Sequence, residues 1–231
     1  KNGIGAGQDW GLPVAAETYD GDLNDINGFH VTDAHVFEAL DSAASGPIEL
    51  GSVGGGTGMI CYDYKGGSGS ASRLVRIGGA EFTVGVFVQA NFGLREELTI
   101  LGCNIGGINL EGRLRHKPVG SIIAIVATDA PLMPHQLKRL ARRVPMGLAR
   151  TGTVGHHGSG DLFLAFSTAN EIALSGRSSE FQILPPASID PLFTAVAEAT
   201  EEAVIDSMVA NVTMVGRDGN ICIGLSADLL R

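Results

Sequence analysis

The stretch HKPVGSIIAIVATDAPL, residues 116–132, decides the reading of this chain. A basic segment with a proline meets an apolar run, and the pair Gly120-Ser121 stands at the junction. Ile122–Ala127 is the longest apolar run in the sequence. It is strand-sized and far below the ~20 residues that span a bilayer. Ser121–Thr128 therefore reads as a continuous buried strand. Gly and Ser are ordinary turn residues, so a turn accounts for the dipeptide on its own. The other reading is that Ser121 is made to become a chain terminus.

Working outward, alternating apolar and polar positions with helical or strand period place the other elements. Upstream, EFTVGVFVQANFG carries a Val- and Phe-rich strand over Glu81–Ala90, and LTILGCNI reads as another. Between Glu49 and Ser70, two glycine-rich loops flank a short strand. Thr32 caps an amphipathic helix, DAHVFEALDSAAS, that ends at Gly46-Pro47, and Pro13–Asn24 reads as an earlier helix weakened by Gly21. Asn104–Pro118, with Arg113, Arg115, His116 and Lys117, reads as an exposed loop. Downstream, Asp129 and Pro131 open a helix through LMPHQLKRLARR that ends or kinks at Pro145. Asp161–Thr168 reads as a strand, Asp190–Asn211 as a long helix with an acidic face, and Ile221–Ile223 as a short strand. Buried strands mixed with amphipathic helices predict an α/β (α+β) layered sandwich in one domain over residues 1–231, with helices outside and sheets inside.

Bulk composition narrows the function. The chain has 231 residues, 44% hydrophobic and 18% charged, enough for a sizeable core. A net charge of −9 argues against nucleic acid as a partner, and no segment has the length of a membrane span. The expected protein is thus soluble. Cys61, Cys103 and Cys222 are odd in number and unevenly spaced, so they read as buried free thiols rather than a disulfide framework or a zinc site. The sequence opens at Lys1 rather than Met, consistent with a fragment or a processed chain.

Most familiar catalytic patterns are missing. There is no GxSxG, and the adjacent pair His156-His157 lacks the spacing of a metal site. No metal and no cofactor are expected. VGGGTG, Val53–Gly58, lacks the Lys-Ser/Thr of a P-loop, which leaves an ordinary turn or a loop whose glycines, Gly54, Gly55 and Gly56, let backbone approach a substrate. A serine can act without histidine if it carries its own base. An N-terminal serine does, because its α-amine titrates near ~7.7–8.0. Making such a terminus requires the hydroxyl to attack the preceding carbonyl, shift the acyl group from N to O, and let water open the ester. Glycine before the serine removes side-chain hindrance and tolerates strained dihedrals, and Gly120-Ser121 supplies that pair at the entrance to a rigid strand.

The segments PVAAETYDGDLNDING, VGGGTGMICYDYKGGSGSASR, VGVFVQANFG, VGSIIAIVATDAPLMPHQLKRLARR and GSGDLFLAFSTAN, in that order, resemble the DmpA-type L-aminopeptidase/D-Ala-esterase/amidases and their β-peptidyl aminopeptidase relatives. The resemblance implies a four-layer αββα sandwich, similar to N-terminal-nucleophile hydrolases but differently connected. It implies self-cleavage between Gly120 and Ser121 into an α part, 1–120, and a β part, 121–231. It makes Ser121 the nucleophile and Asn91 the oxyanion donor, sets Tyr19 at the active site, and sets Ser159 and Asp161 beside the nucleophile. Asp161 is Glu in some relatives. It further implies an upstream segment that this sequence lacks and that forms part of the amine-binding pocket. The expected partners are a small peptide, amide or ester substrate and other copies of the chain, as a tetramer of αβ units. On the residues alone, Asn91 also fits a strand-end turn, Tyr19 a helix core position, and Asp161 a strand-entry turn. The rival functions are an acyltransferase on the ornithine acetyltransferase fold, which uses threonine where this chain has Ser121, an amidase of non-natural oligomers, and an inactive scaffold.

Overall fold

The computed structural model describes residues 13–108, 112–115, 120–170 and 180–226. Its centre is a four-stranded sheet in the order β3-β4-β7-β8, formed by β3 (Gly67–Ile77), β4 (Ala80–Asn91), β7 (Ser121–Thr128) and β8 (Leu162–Ser167). Two-residue strands form three small ladders: β1 (Ile60–Cys61) with β2 (Tyr64–Lys65), β5 (Thr99–Ile100) with β6 (Cys103–Asn104), and β9 (Met214–Val215) with β10 (Ile221–Cys222). The helices are α1 (Asp33–Asp41), α2 (Pro134–Ala141), α3 (Val144–Arg150) and α4 (Asp190–Val209). None of them is long and apolar enough to cross a membrane.

Strand period explains the central sheet. Val84, Val86, Val88 and Ala90 of β4 and Ile122, Ala124 and Val126 of β7 are buried, and all point to the face covered by α4 through Val196, Ala199, Ala203 and Val204. β3 pairs with β4 and β4 with β7 in antiparallel fashion, while β8 lies parallel to β7. A parallel pair needs a long crossover, and α2 and α3 provide it. The opposite face carries Phe87, Ile123 and Ile125 with the exposed Leu162, Leu164 and Phe166. β7 is thus buried on one face and half-buried on the other, where its continuous apolar run predicts burial on both. The predicted mixed α/β class, with helices outside the sheet, holds in these elements.

Several local expectations change. No helix forms over Pro13–Asn24. Residues 13–20 are irregular and the chain turns at Gly21–Leu23, because carbonyls that a helix needs are taken by distant partners: Tyr19 O accepts from Asn91 Nδ2 and Leu23 O from Arg217 N. Of the second glycine-rich stretch, Gly66–Ser70, all but Gly66 is not a loop but the start of β3. A Cβ at Gly69 would fall 1.9 Å from Ala203 O, so glycine is what admits α4 against the strand. LTILGCNI is a hairpin, β5–β6, reversed at Leu101 and Gly102, both at positive φ. The helix after Pro131 starts later, at Pro134, and Pro145 opens α3 rather than ending α2, as its missing N–H allows in a first turn. α1 ends at Asp41, and its apolar Val36, Phe37 and Leu40 are exposed. Cys103 is exposed at the hairpin, whereas Cys61 and Cys222 are buried, with thiols pushed up to about 12 by desolvation. Of the predicted loop 104–118, residues 109–111 and 116–118 lie outside the described residues, and Arg115 is buried rather than exposed.

Candidate active site

The end of β4 and the beginning of β7 build the site. Asn91 and Ser121 are register partners across the antiparallel pair, so their side chains share one face of the sheet. Gly120, just before β7, has φ +107°, a conformation that side-chain-bearing residues rarely adopt. A Cβ there would lie 1.8 Å from Asn91 O and 3.1 Å from Asn91 Nδ2. Glycine is therefore required both by the dihedral and by the close approach of β4.

A turn before β8 brings in the other side chains. Ser159 N donates to His156 O and closes this turn. The amide of Gly160 donates to Ser121 Oγ at 2.9 Å, which orients the hydroxyl. Ser159 Oγ lies 3.3 Å from Gly120 O and 2.5 Å from Asp161 Oδ1, and its single proton serves one of them at a time. Asp161 Oδ1 also accepts from Ile122 N at 3.1 Å, so the carboxylate sits one residue from the Ser121 amide nitrogen. Ser121, Ser159 and Asp161 are all partly buried. Four predicted residues thus converge on the Gly120–Ser121 peptide: Asn91, Ser121, Ser159 and Asp161.

Asn91 is fully buried and its amide is held at both ends. Oδ1 accepts from Ile60 N at 2.9 Å and from Arg115 Nη2 at 3.3 Å, and Nδ2 donates to Tyr19 O at 2.6 Å. The amide has one further N–H to offer. Tyr19 thus meets the site through its carbonyl, while its ring is half exposed and its hydroxyl packs on Gly21. The glycines divide similarly. Gly54–Gly56 form a single tight turn. Gly56 N is engaged by Val53 O, and a Cβ at Gly56 would collide with Gly51 O and Ser68 N. Gly55 alone lines the neighbouring open cleft of about 590 Å³, with Glu17, Asp20, Phe29, Gln89 and Ile123. Ile123 is the next residue after Ser121 on the same face of β7. The carboxylates of Glu17 and Asp20 give the cleft a charge suited to a cationic amino group.

Two buried cations that support the site, Lys65 and Arg115, are not evident from the sequence. Lys65 is fully buried beneath the glycine turn and donates to Gly56 O, Met59 O and Gly66 O at 3.1, 3.0 and 2.6 Å. Desolvation pulls its pKa down to about 8. Its one signal in the sequence is a cation inside the apolar stretch MICYDYK. Arg115 is pinned by Asp22, and the Arg115 backbone by the buried Asp63. Nothing in the polar run around Arg115 marks it as buried. Of the histidines, His156 Nε2 lies 2.8 Å from Glu97 Oε1, and no group of three metal-ligating side chains occurs among the described residues.

Comparison with known proteins identifies the family and the fold. A model of "Peptidase family S58" matches residues 1–222. The beta-peptidyl aminopeptidase BapA of Sphingosinicella microcystinivorans is 46% identical over 228 residues, 91% of this chain and 57% of its own length. The L-aminopeptidase D-Ala-esterase/amidase of Ochrobactrum anthropi, described as a serine aminopeptidase and a new variant of the Ntn hydrolase fold, superposes with a TM-score of 0.89 at 46% identity. That alignment covers 97% of this chain and 64% of the other. A Burkholderia sp. beta-aminopeptidase superposes with a TM-score of 0.81 at 47% identity, covering 92% and 61%. The chain therefore spans about three-fifths of the length of these relatives and shares their Ntn-hydrolase-like fold. With a family model matched over residues 1–222 and relatives 46% identical over more than nine-tenths of its length, the chain belongs to peptidase family S58.

Proposed function

We propose that this chain acts as a self-processing aminopeptidase, hydrolysing N-terminal residues from small peptides, amides and esters through an acyl-enzyme on Ser121. The observation that carries the reading is the peptide bond itself. Gly120 is held at φ +107° with its carbonyl oxygen 3.3 Å from the Ser159 hydroxyl, directly before a serine whose Oγ is oriented by Gly160 N–H. In processing, Ser121 Oγ attacks the Gly120 carbonyl carbon. The C–N bond breaks as the ester forms, and the hydroxyl proton passes to the departing nitrogen. Water then opens the ester, leaving the Gly120 carboxylate and a free Ser121 amine.

That amine is the base of the mature site. It takes the Ser121 hydroxyl proton as Oγ attacks the substrate carbonyl, and it returns a proton to the leaving amine. The oxyanion receives the free N–H of the Asn91 amide, an interaction worth ~2.7–4 kcal/mol in a comparable hydrolase. Asp161, with Ser159, orients the new terminus and favours its protonated form. The acidic cleft beside Ile123 supports a free substrate amine next to the scissile bond. Residues 1–231 act as one domain cut into parts 1–120 and 121–231, without a cofactor, assembled as a tetramer of αβ units. The test is the complete precursor with and without Ser121→Ala. The unaltered protein should yield a chain whose first residue is Ser121, by intact mass and Edman sequencing, and should release p-nitroaniline from alanine p-nitroanilide. The variant should remain one chain and release none. An active enzyme with no serine-initiated chain would overturn the reading.

A further inference from the structure

Arg115 lies five residues before the scissile bond, yet its side chain is only 6% exposed. Its burial is organised from several directions. The backbone N–H groups of Leu114 and Arg115 both donate to Asp63 Oδ1, at 3.1 and 2.9 Å. Asp63 sits at the tip of the β1–β2 hairpin, at φ +57°, with its other carboxylate oxygen 3.6 Å from the buried Arg95. From this anchored backbone the guanidinium reaches inward. Nε donates to Asp22 Oδ2 at 2.7 Å, Nη1 to Ile60 O at 3.3 Å, and Nη2 to Asn91 Oδ1 at 3.3 Å.

We infer that Arg115 is a positioning residue of the oxyanion site, acting through the side-chain amide of Asn91. The inference rests on Asn91 being the oxyanion donor. Two effects follow from the contacts. First, an asparagine amide is nearly symmetric in shape, and a half-turn would exchange its oxygen for its NH₂ group. Here Oδ1 faces two donors, Ile60 N–H and the Arg115 guanidinium, so the reversed amide would set donors against donors. That leaves Nδ2 on the side of Gly120, where the reacting carbonyl lies. Second, a buried cation on the amide oxygen draws electron density from its nitrogen and makes the remaining N–H a stronger donor. Hydrogen bonds to charged groups and chains of such bonds reinforce one another in a low-dielectric interior.

The covalent arrangement also suits this role. Asp22, Asp63, Asn91 and Arg115 all lie before the cleaved bond, so cutting at Ser121 leaves the clamp intact. The same amide then serves the self-cleavage oxyanion and every later turnover.

The test uses the complete, processed protein, with active serines counted by burst titration. Arg115→Met removes the guanidinium and keeps the length of the side chain. It should lower kcat on alanine p-nitroanilide by about 10- to 100-fold, the range for losing a charge-assisted hydrogen bond, with KM changed less than about threefold. In an Asn91→Ala background the same substitution should cause no further loss of kcat, because the group it acts through is gone. Arg115→Lys retains a buried charge and covers the case in which the Met variant does not fold; its smaller loss should likewise vanish without Asn91. If Arg115→Met turns over at the unaltered rate, or if its loss persists undiminished in the Asn91→Ala background, the inference fails while Asn91 stays the donor. If Asn91→Ala itself is fully active, Asn91 is not the donor, and the role of Arg115 falls with it.

Discussion

Gly120→Ala tests the geometry most sharply, because a single methyl group meets two separate obstacles. The first is the dihedral: φ +107° is disfavoured for alanine, and holding a residue in such a region costs about 1–3 kcal/mol. The second is steric. The new Cβ would lie 1.8 Å from Asn91 O, against an ordinary contact of 3.4 Å or more. Closing that gap requires the start of β7 to part from β4 by more than 1 Å at the Asn91–Ser121 pair. This movement draws the Gly120 carbonyl away from Ser159 Oγ and shifts Ser121 Oγ relative to the carbon it attacks. Misplacement by about 1 Å costs on the order of 100-fold in rate. Self-cleavage of the complete precursor should therefore slow at least about 100-fold, read as intact mass after denaturation over a time course. Once cleaved, residue 120 is a free chain end and the strain is released. Turnover per active serine in whatever fraction matures should then remain within about threefold of the unaltered enzyme. A Gly120→Ala precursor that matures at the normal rate would refute the argument that glycine is needed to present this bond.

Ser159→Ala should slow self-cleavage by about 10²–10³-fold, because the Gly120 carbonyl loses its hydroxyl donor as negative charge develops. The appearance of the Ser121-initiated chain measures this, and an unchanged rate would mean that Asp161 alone holds the Ser159 proton. Lys65 gives a pH signature. Its folded pKa of about 8 lies below the ordinary 10.5, so between these values the unfolded chain binds more protons. Stability from this group therefore rises as pH climbs through that window, by up to about 3 kcal/mol, and the penalty is fully present below it. In urea unfolding at pH 8, 9 and 10, Lys65→Met should remove that upward slope; a slope that persists would assign it to another group.

The elements around Ser121 are legible in the sequence because they follow local rules. The Val- and Phe-rich run of β4 and the continuous apolar run of β7 mark strands, and the apolar repeat of α4 has helical period. A helix closes its backbone hydrogen bonds within itself, and a strand shows its residue types along its own length even though its hydrogen bonds await neighbouring strands. Gly120-Ser121 stands out for a similar reason, since the proposed self-cleavage needs only a small residue, a hydroxyl and a strand entrance. Tertiary structure decided where a local pattern competes with a distant partner. Residues 13–24 lose their helix because Tyr19 O is taken by Asn91, 72 residues away. Gly67–Ser70 becomes strand because α4 packs against Gly69. Arg115 and Lys65, which composition assigns to the surface, are buried because Asp22, Asn91 and a cage of carbonyls converge on them. A charge enters a protein interior only where polar partners meet it. Those partners come together only when the chain has folded, which is why the apolar run of β7 can be read from its residues while the clamp around Asn91 exists only in three dimensions.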